Sequence, residues 1–252
     1  MISDPTFYLF AIPAVLIVGL SKSGFGGSIG VLGVPLMAMV ISPVQAAAIM
    51  LPILIAMDAV GVVSYRRIFD KTTLKIMIPA GIVGIGIGWA SAHYFNDDMV
   101  RLLVGLIAVL FVANTMRKPA AERNRAAPHN VPKGAVSGML AGFTSFLAHA
   151  GGPPFQFYTM PLRMEPRLFA GTSVIFFAVV NFIKLVPYFL LGQFSVQNLE
   201  TSAVLLPLAP LSMLFGIWLV KRIPIGPFYT MTYIFVGISG LKLIWDGLSD
   251  LL

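Results

Sequence analysis

The chain has 252 residues, of which 58% are hydrophobic and only 11% are charged. Because a soluble domain carries roughly a quarter of charged residues, this composition excludes an ordinary soluble protein and indicates an all-α, polytopic integral membrane protein. The net charge of +7 does not indicate nucleic-acid binding, since the basic residues cluster in short loops between apolar runs. The chain has no cysteine, which excludes disulfides and thiolate metal sites, and we expect no metal or cofactor.

The apolar runs define the elements in chain order. A membrane-spanning helix needs about 20 apolar residues, and six runs meet this length: Val44–Val63, Leu74–His93, Val100–Met116, Phe169–Leu191, Leu199–Val220 and Phe228–Trp245. Two further apolar regions, Phe7–Ile41 and Val136–Leu162, are too long for one ordinary helix. Glycine interrupts both near the middle, in GLSKSGFGGSIG (residues 19–30) and LAHAGGPPF (residues 147–155).

One polar stretch, residues 117–132, divides the chain almost in half. We predict that it is a cytosolic linker between two transmembrane repeats, residues 1–116 and 133–252. Each half contains a glycine-broken segment, then a span that opens with proline, then two more spans, which indicates an internal duplication. The matching positions are Gly26-Gly27 with Gly151-Gly152, Pro35-Leu36 with Pro161-Leu162, Asp58 with Asn181, and Tyr65 with Tyr188.

The distribution of basic residues decides between two topologies. If both broken segments cross the membrane, the basic clusters fall on both sides. If both segments dip in and return, all the basic clusters share one side and only Arg101 lies opposite. The positive-inside rule favours the second topology. Each half then crosses three times, so we predict two inverted repeats, each with a re-entrant broken helix plus three transmembrane helices.

The glycine breaks indicate an anion site. Irregular backbone within a membrane is tolerated only inside protein or beside a water-filled cavity, and a helix N-terminus attracts anions through its free N–H groups. Two broken helices that face each other would therefore hold an anion near the midplane, with Ser28 as a cap for the first. The predicted substrate-binding residues are Lys22, Ser23, Gly24, Gly26, Gly27, Ser28, His149, Gly151, Gly152, Gln156 and Asn181.

Three ionisable residues, Lys22, His149 and Asp58, each have two interpretations. Lys22 either faces the cavity and attracts the anion or snorkels to the membrane boundary. His149 is either a ligand or proton sensor or a structural hydrogen-bond donor. Asp58 lies well inside a predicted span and needs a partner or a proton. It either forms a structural pair with Lys184 or Lys22, or it couples transport to protons.

Both interrupted segments resemble a known family. GFGGSIGVLGVPL, AGGPPFQFYTMPL, two similar halves and a length of 252 residues resemble the sulfite exporter TauE/SafE family. The resemblance implies a multi-pass transporter of the bacterial inner (cytoplasmic) membrane that exports a small sulfur-containing anion, such as sulfite or an organosulfonate. The positions that match the family pattern are Gly26, Gly27, Pro35, Gly151, Gly152 and Pro161.

Other functions remain open at this point. An anion channel, or a permease for another small oxyanion or carboxylate, would have a similar sequence. An enzyme is not expected, because the chain has no cysteine, no His-Glu-x-x-His motif and no intramembrane pair of carboxylates. The expected partners are a small anionic substrate and the lipid bilayer, and the oligomeric state is left open.

Overall fold

A computed structural model of the chain describes residues 1–27, 29–92, 94, 97–117, 119 and 125–249. These residues are helical or irregular and include no strand, as an all-α membrane protein requires. The helices are α1 Pro5–Gly24, α2 Gly33–Ala38, α3 Pro43–Tyr65, α4 Lys71–Ser91, α5 Asp97–Arg117, α6 Val131–Ala148, α7 Gly152–Thr159, α8 Pro166–Leu190, α9 Val196–Leu205, α10 Leu208–Val220 and α11 Ile225–Ser249. Short 3₁₀ turns at Ile29–Leu32 and Met160–Leu162 precede α2 and follow α7.

Six of the described helices are long and apolar enough to cross a membrane, and a bent pair makes a possible seventh. The multi-pass prediction is therefore confirmed. Two elements differ from their predicted form. The helix at the start of the region Phe7–Ile41 runs from Pro5 to Gly24 and is long enough to cross a membrane, whereas the re-entrant topology predicts a shorter one. The predicted span Leu199–Val220 consists of α9 and α10, bent by 44°, and Pro207 between them has no N–H to continue a helix.

Three of the long helices begin at side-chain caps that the sequence supplies. Ser42, Asp70 and Asn130 each accept a hydrogen bond from the backbone N–H three residues later, at the starts of α3, α4 and α6. A cap of this kind satisfies one of the N–H groups that the first turn leaves without a partner. Pro43 and Pro166, at the first positions of α3 and α8, lack an N–H where none is needed.

The helices of the two halves pack against each other in four main pairs. These are α4 with α6, α5 with α11, α1 with α10, and α3 with α8. The α4–α6 contact is close, with glycine on both sides. A Cβ at Gly142 would lie 2.0 Å from the carbonyl oxygen of Gly81, so any side chain there would force the backbones apart, as at other small-residue contacts of membrane helices.

Candidate functional site

The first break follows α1. The helix ends at Gly24, and the next two glycines adopt left-handed conformations, with φ of 62° at Gly26 and 78° at Gly27. Glycine adopts such angles without the steric cost that a side chain would add. The amide of Gly27 closes the turn by donating to the carbonyl of Ser21 at 3.4 Å. The predicted break is therefore present, and the polar end of α1 lies inside the protein.

Ser21 caps the chain that leaves this break. Its Oγ accepts hydrogen bonds from the amides of Ile29 and Gly30, at 3.1 and 3.0 Å. Sequence reasoning assigned the cap to Ser28, which lies outside the described residues. Ser21 was missed because its bond reaches eight or nine residues forward, beyond the spacing of a local helix cap.

The second break follows α6. That helix ends at Ala148, and His149 adopts a left-handed conformation with φ of 51°, which is uncommon for a residue with a side chain. The amide of Ala150 donates to the carbonyl of Thr144 at 3.1 Å, and α7 begins at Gly152.

The two breaks are in direct contact. A Cβ at Gly152 would lie 2.7 Å from the carbonyl oxygen of Gly27, so the two backbones approach as closely as glycine allows. A second connection is the side chain of Gln156, whose Nε2 donates to the carbonyl of Phe25 at 2.6 Å. The interruptions predicted from the sequence are thus adjacent in the interior of the protein.

A cavity of about 50 Å³ lies at this junction. A water molecule needs roughly 10–15 Å³ of such space, so the cavity is suited to a small anion or a few waters rather than a large metabolite. Its polar lining comes from both halves of the chain. The lining residues are Val18, Lys22, Gly27, Gly30, Val34, Met50, Leu54, Ser145, His149, Gly152, Phe177 and Asn181.

Lys22 and Asp58 form a buried ion pair beside the cavity. Lys22 Nζ lies 2.7 Å from Asp58 Oδ1, and each side chain is 6% exposed. Asn181 Nδ2 donates to the other carboxylate oxygen, Oδ2, at 2.8 Å. Of the two pairings that the sequence allowed, Asp58 with Lys22 is therefore the one that the structure contains. It joins α1 to α3, while Asn181 ties both to α8.

Lys184 has a different environment. It is fully buried, and its Nζ contacts the carbonyl oxygen and Oγ of Ser145, at 2.9 and 3.1 Å, and His149 Nδ1 at 2.9 Å. His149 Nε2 lies 3.3 Å from the carbonyl oxygen of Ala47 and 3.4 Å from the hydroxyl of Tyr188. Lys184 is thus linked to the cavity through Ser145 and His149, which both line it.

Five predicted site residues support the junction without lining the cavity. The Oγ of Ser23 donates to the carbonyl of Leu20 at 2.7 Å within α1. The other four are Gln156 and three glycines. Gly24 packs on Val220 of α10, Gly26 packs on Gln156, and Gly151 packs on Ala141 and Ser145. Sequence reasoning missed Ser145, Val34 and Phe177 as lining residues, because only the three-dimensional packing of α2, α6 and α8 brings them together.

Matching hydrogen bonds recur in the two halves at one constant sequence offset. Tyr65 donates to the carbonyl of Ser23 at 3.0 Å, and Tyr188 donates to the carbonyl of Phe146 at 3.1 Å. The two tyrosine donors are 123 positions apart in the sequence, and so are the two carbonyl acceptors. Asp58 and Asn181 have the same separation.

The backbone hydrogen bonds that close the two breaks, from Gly27 to Ser21 and from Ala150 to Thr144, are separated by the same 123 positions. At this offset Gly27 corresponds to Ala150. The pairing of Gly26-Gly27 with Gly151-Gly152 that the sequence suggested is therefore displaced by two residues. The left-handed residue Gly26 corresponds to His149 rather than to a glycine.

The architecture is that of a multi-pass helical membrane protein with a small polar cavity where two interrupted helices meet, which is typical of membrane transporters. The chain belongs to the sulfite exporter TauE/SafE family, whose model matches residues 11–243, and the resemblance found in the sequence is confirmed. No curated protein and no solved structure matches the chain. Family membership implies a membrane transporter of sulfite or related anions, which is consistent with a protein that is not an enzyme.

Proposed function

We propose that this protein is a secondary transporter that exports a small sulfur-containing anion, sulfite or an organosulfonate, across the cytoplasmic membrane of a bacterium. The anion binds in the central cavity. The observation that carries the proposal is the contact of the two helix breaks, Gly27 against Gly152, beside Lys22 and His149.

The polar groups around the cavity favour an anion over a cation or a neutral solute. Lys22 and Lys184 are both buried here, against the single carboxylate of Asp58 among the described charged groups of this cluster. The N-terminus of α7, at Gly152, adds the partial positive charge of a helix end. An anion would therefore enter a site that has more basic groups than acidic ones and that offers N–H donors.

The repeat organisation supports alternating access. We propose two inverted repeats, residues 1–116 and 133–252, joined by a cytosolic linker of residues 117–132. The pairing of α1 with α10 and of α4 with α6 is what a twofold relation between the halves would produce. The constant offset of 123 positions between matching hydrogen bonds supports the same duplication. In transporters built this way, the two repeats move around a fixed midplane site.

A carrier fits the cavity better than a channel. Lys22 is 5% exposed and Asn181 is 2% exposed, so the polar groups of the central site have little contact with bulk water. An ion in such a site must wait for a conformational change before it leaves. Turnover should therefore be that of a carrier, far below the rate of ion flow through an open pore.

Reconstitution into liposomes tests this function. We expect efflux of sulfite, or of a sulfonate such as sulfoacetate, well above that of empty liposomes. Val34→Phe, at a cavity-lining side chain that is 5% exposed, should abolish the flux. Its matched control, Val83→Phe at a position that is 55% exposed on α4, should retain it. Flux equal to that of empty liposomes for sulfite and for several sulfonates would refute the assigned substrate class.

A further inference from the structure

Two buried lysines near the cavity, Lys22 and Lys184, share a single buried carboxylate, that of Asp58, among the described residues around them. Asp58 already binds Lys22 through Oδ1 at 2.7 Å and Asn181 through Oδ2 at 2.8 Å. Lys184, which is fully buried, contacts only uncharged groups among its described partners, on Ser145 and His149. A buried ammonium without a carboxylate is costly, and the usual outcome is the loss of its proton.

Titratable groups from α1, α3, α8 and the end of α6 surround Lys184. Lys22 faces it from α1, Asp58 from α3 and His149 from the end of α6, while Tyr188, on the same helix as Lys184, contacts His149. Asp58 is the only acid among the described groups that face it, and Lys22 adds a second positive charge. The protein itself thus supplies one negative charge for two lysines.

The contacts of His149 fit a neutral ring that carries its proton on Nε2. Its Nδ1 lies 2.9 Å from Lys184 Nζ, and its Nε2 lies 3.3 Å from the carbonyl oxygen of Ala47. The carbonyl can only accept, so the Nε2 proton donates to it and the Nδ1 lone pair accepts from Lys184. A protonated Lys184 would then have His149 and Ser145 as its hydrogen-bond acceptors.

We propose that Lys184, held by His149 and Ser145, is the proton site that couples transport of the anion to one proton. In the empty protein the Lys184 amine is neutral. When an anion enters the cavity, one proton adds to the Nζ lone pair, and the anion supplies the missing negative charge. A monoanion and one proton then cross together without net charge movement. This inference rests on the proposed function and identifies the second species that the same site carries.

The first test needs no anion. If Lys184 is neutral in the folded protein and charged in the unfolded chain, unfolding takes up a proton, and stability rises with pH below the lysine value of about 10.4. For one proton, the equilibrium constant for unfolding in mixed micelles falls about tenfold per pH unit. Lys184→Met should remove this dependence, whereas Lys75→Met, at an exposed position of α4, should retain it. Equal pH dependence in the wild type and Lys184→Met would overturn the proposal.

The second test uses methanesulfonate, an anion whose charge does not change over the pH range of the experiment. Its affinity for wild-type protein should fall about tenfold per pH unit as the pH rises, because each bound anion requires one proton. Lys184→Arg, which stays charged, should bind with little pH dependence. A slope that persists in Lys184→Arg would overturn the coupling.

The two measurements separate the two claims. If neither methanesulfonate nor sulfite binds wild-type protein at any pH, the proposed function fails and the coupling fails with it. The anion-free unfolding experiment still decides whether Lys184 is neutral in the folded protein.

Discussion

The ion pair between Lys22 and Asp58 gives the sharpest energetic prediction. At 2.7 Å and an effective dielectric constant of about 20, the Coulomb attraction of two unit charges is about 6 kcal/mol. Desolvation offsets part of this, since each side chain is only 6% exposed. Replacing one partner leaves a buried charge without its counter-charge, so Lys22→Met or Asp58→Asn alone should destabilise the protein by about 3–5 kcal/mol.

The double variant separates the pair from its surroundings. Because Lys22→Met with Asp58→Asn leaves neither charge, it should be less destabilised than the sum of the single variants, with a coupling energy of about 3 kcal/mol in reversible unfolding from mixed micelles. The same cycle at Lys242 and Asp246, where the lysine is 52% exposed, should give about 0.3–0.5 kcal/mol. A coupling energy below 1 kcal/mol for Lys22 and Asp58 would refute the assignment of a buried pair.

Two further predictions concern the backbone junction and the repeated bonds. Gly152→Ala places a Cβ 2.7 Å from a carbonyl oxygen of the other break, and should cost about 1–3 kcal/mol and most of the transport rate. Gly86→Ala, with nothing within 4 Å, should be neutral or stabilising, and wild-type flux and stability in Gly152→Ala would contradict the junction. Tyr65→Phe and Tyr188→Phe remove equivalent hydrogen bonds, so thermal unfolding should report similar losses of about 0.5–1.5 kcal/mol each; a loss in only one half would argue against equivalence.

The sequence predicted the class of protein and the location of the breaks, because both depend on local features. Apolar length identifies spans, and glycine within an apolar run identifies an interruption. The pairing of Asp58 with Lys22 rather than Lys184 could not be predicted, since it depends on which faces of α1, α3 and α8 meet. Nor could the extension of α1 to Gly24, because the buried acid that stabilises Lys22 lies in another helix.

The lining of the cavity was predictable only in part. Lys22, Gly27, His149, Gly152 and Asn181 were assigned to it from the sequence and do line it. Their chemistry is unusual for an apolar segment, which is the signal that identified them. The remaining lining groups are ordinary residues of packed helices, and only their spatial arrangement distinguishes them.

The main-chain contact at Gly27 and Gly152 has a consequence for how such proteins can diverge. The two interruptions are in contact through backbone atoms, while side chains such as those of Val34, Ser145 and Phe177 line the cavity beside them. Substitution at those positions would alter the size and polarity of the cavity without disturbing the backbone contact between Gly27 and Gly152. A few substitutions among the lining residues could therefore change the substrate specificity of this fold, provided that both glycines are retained.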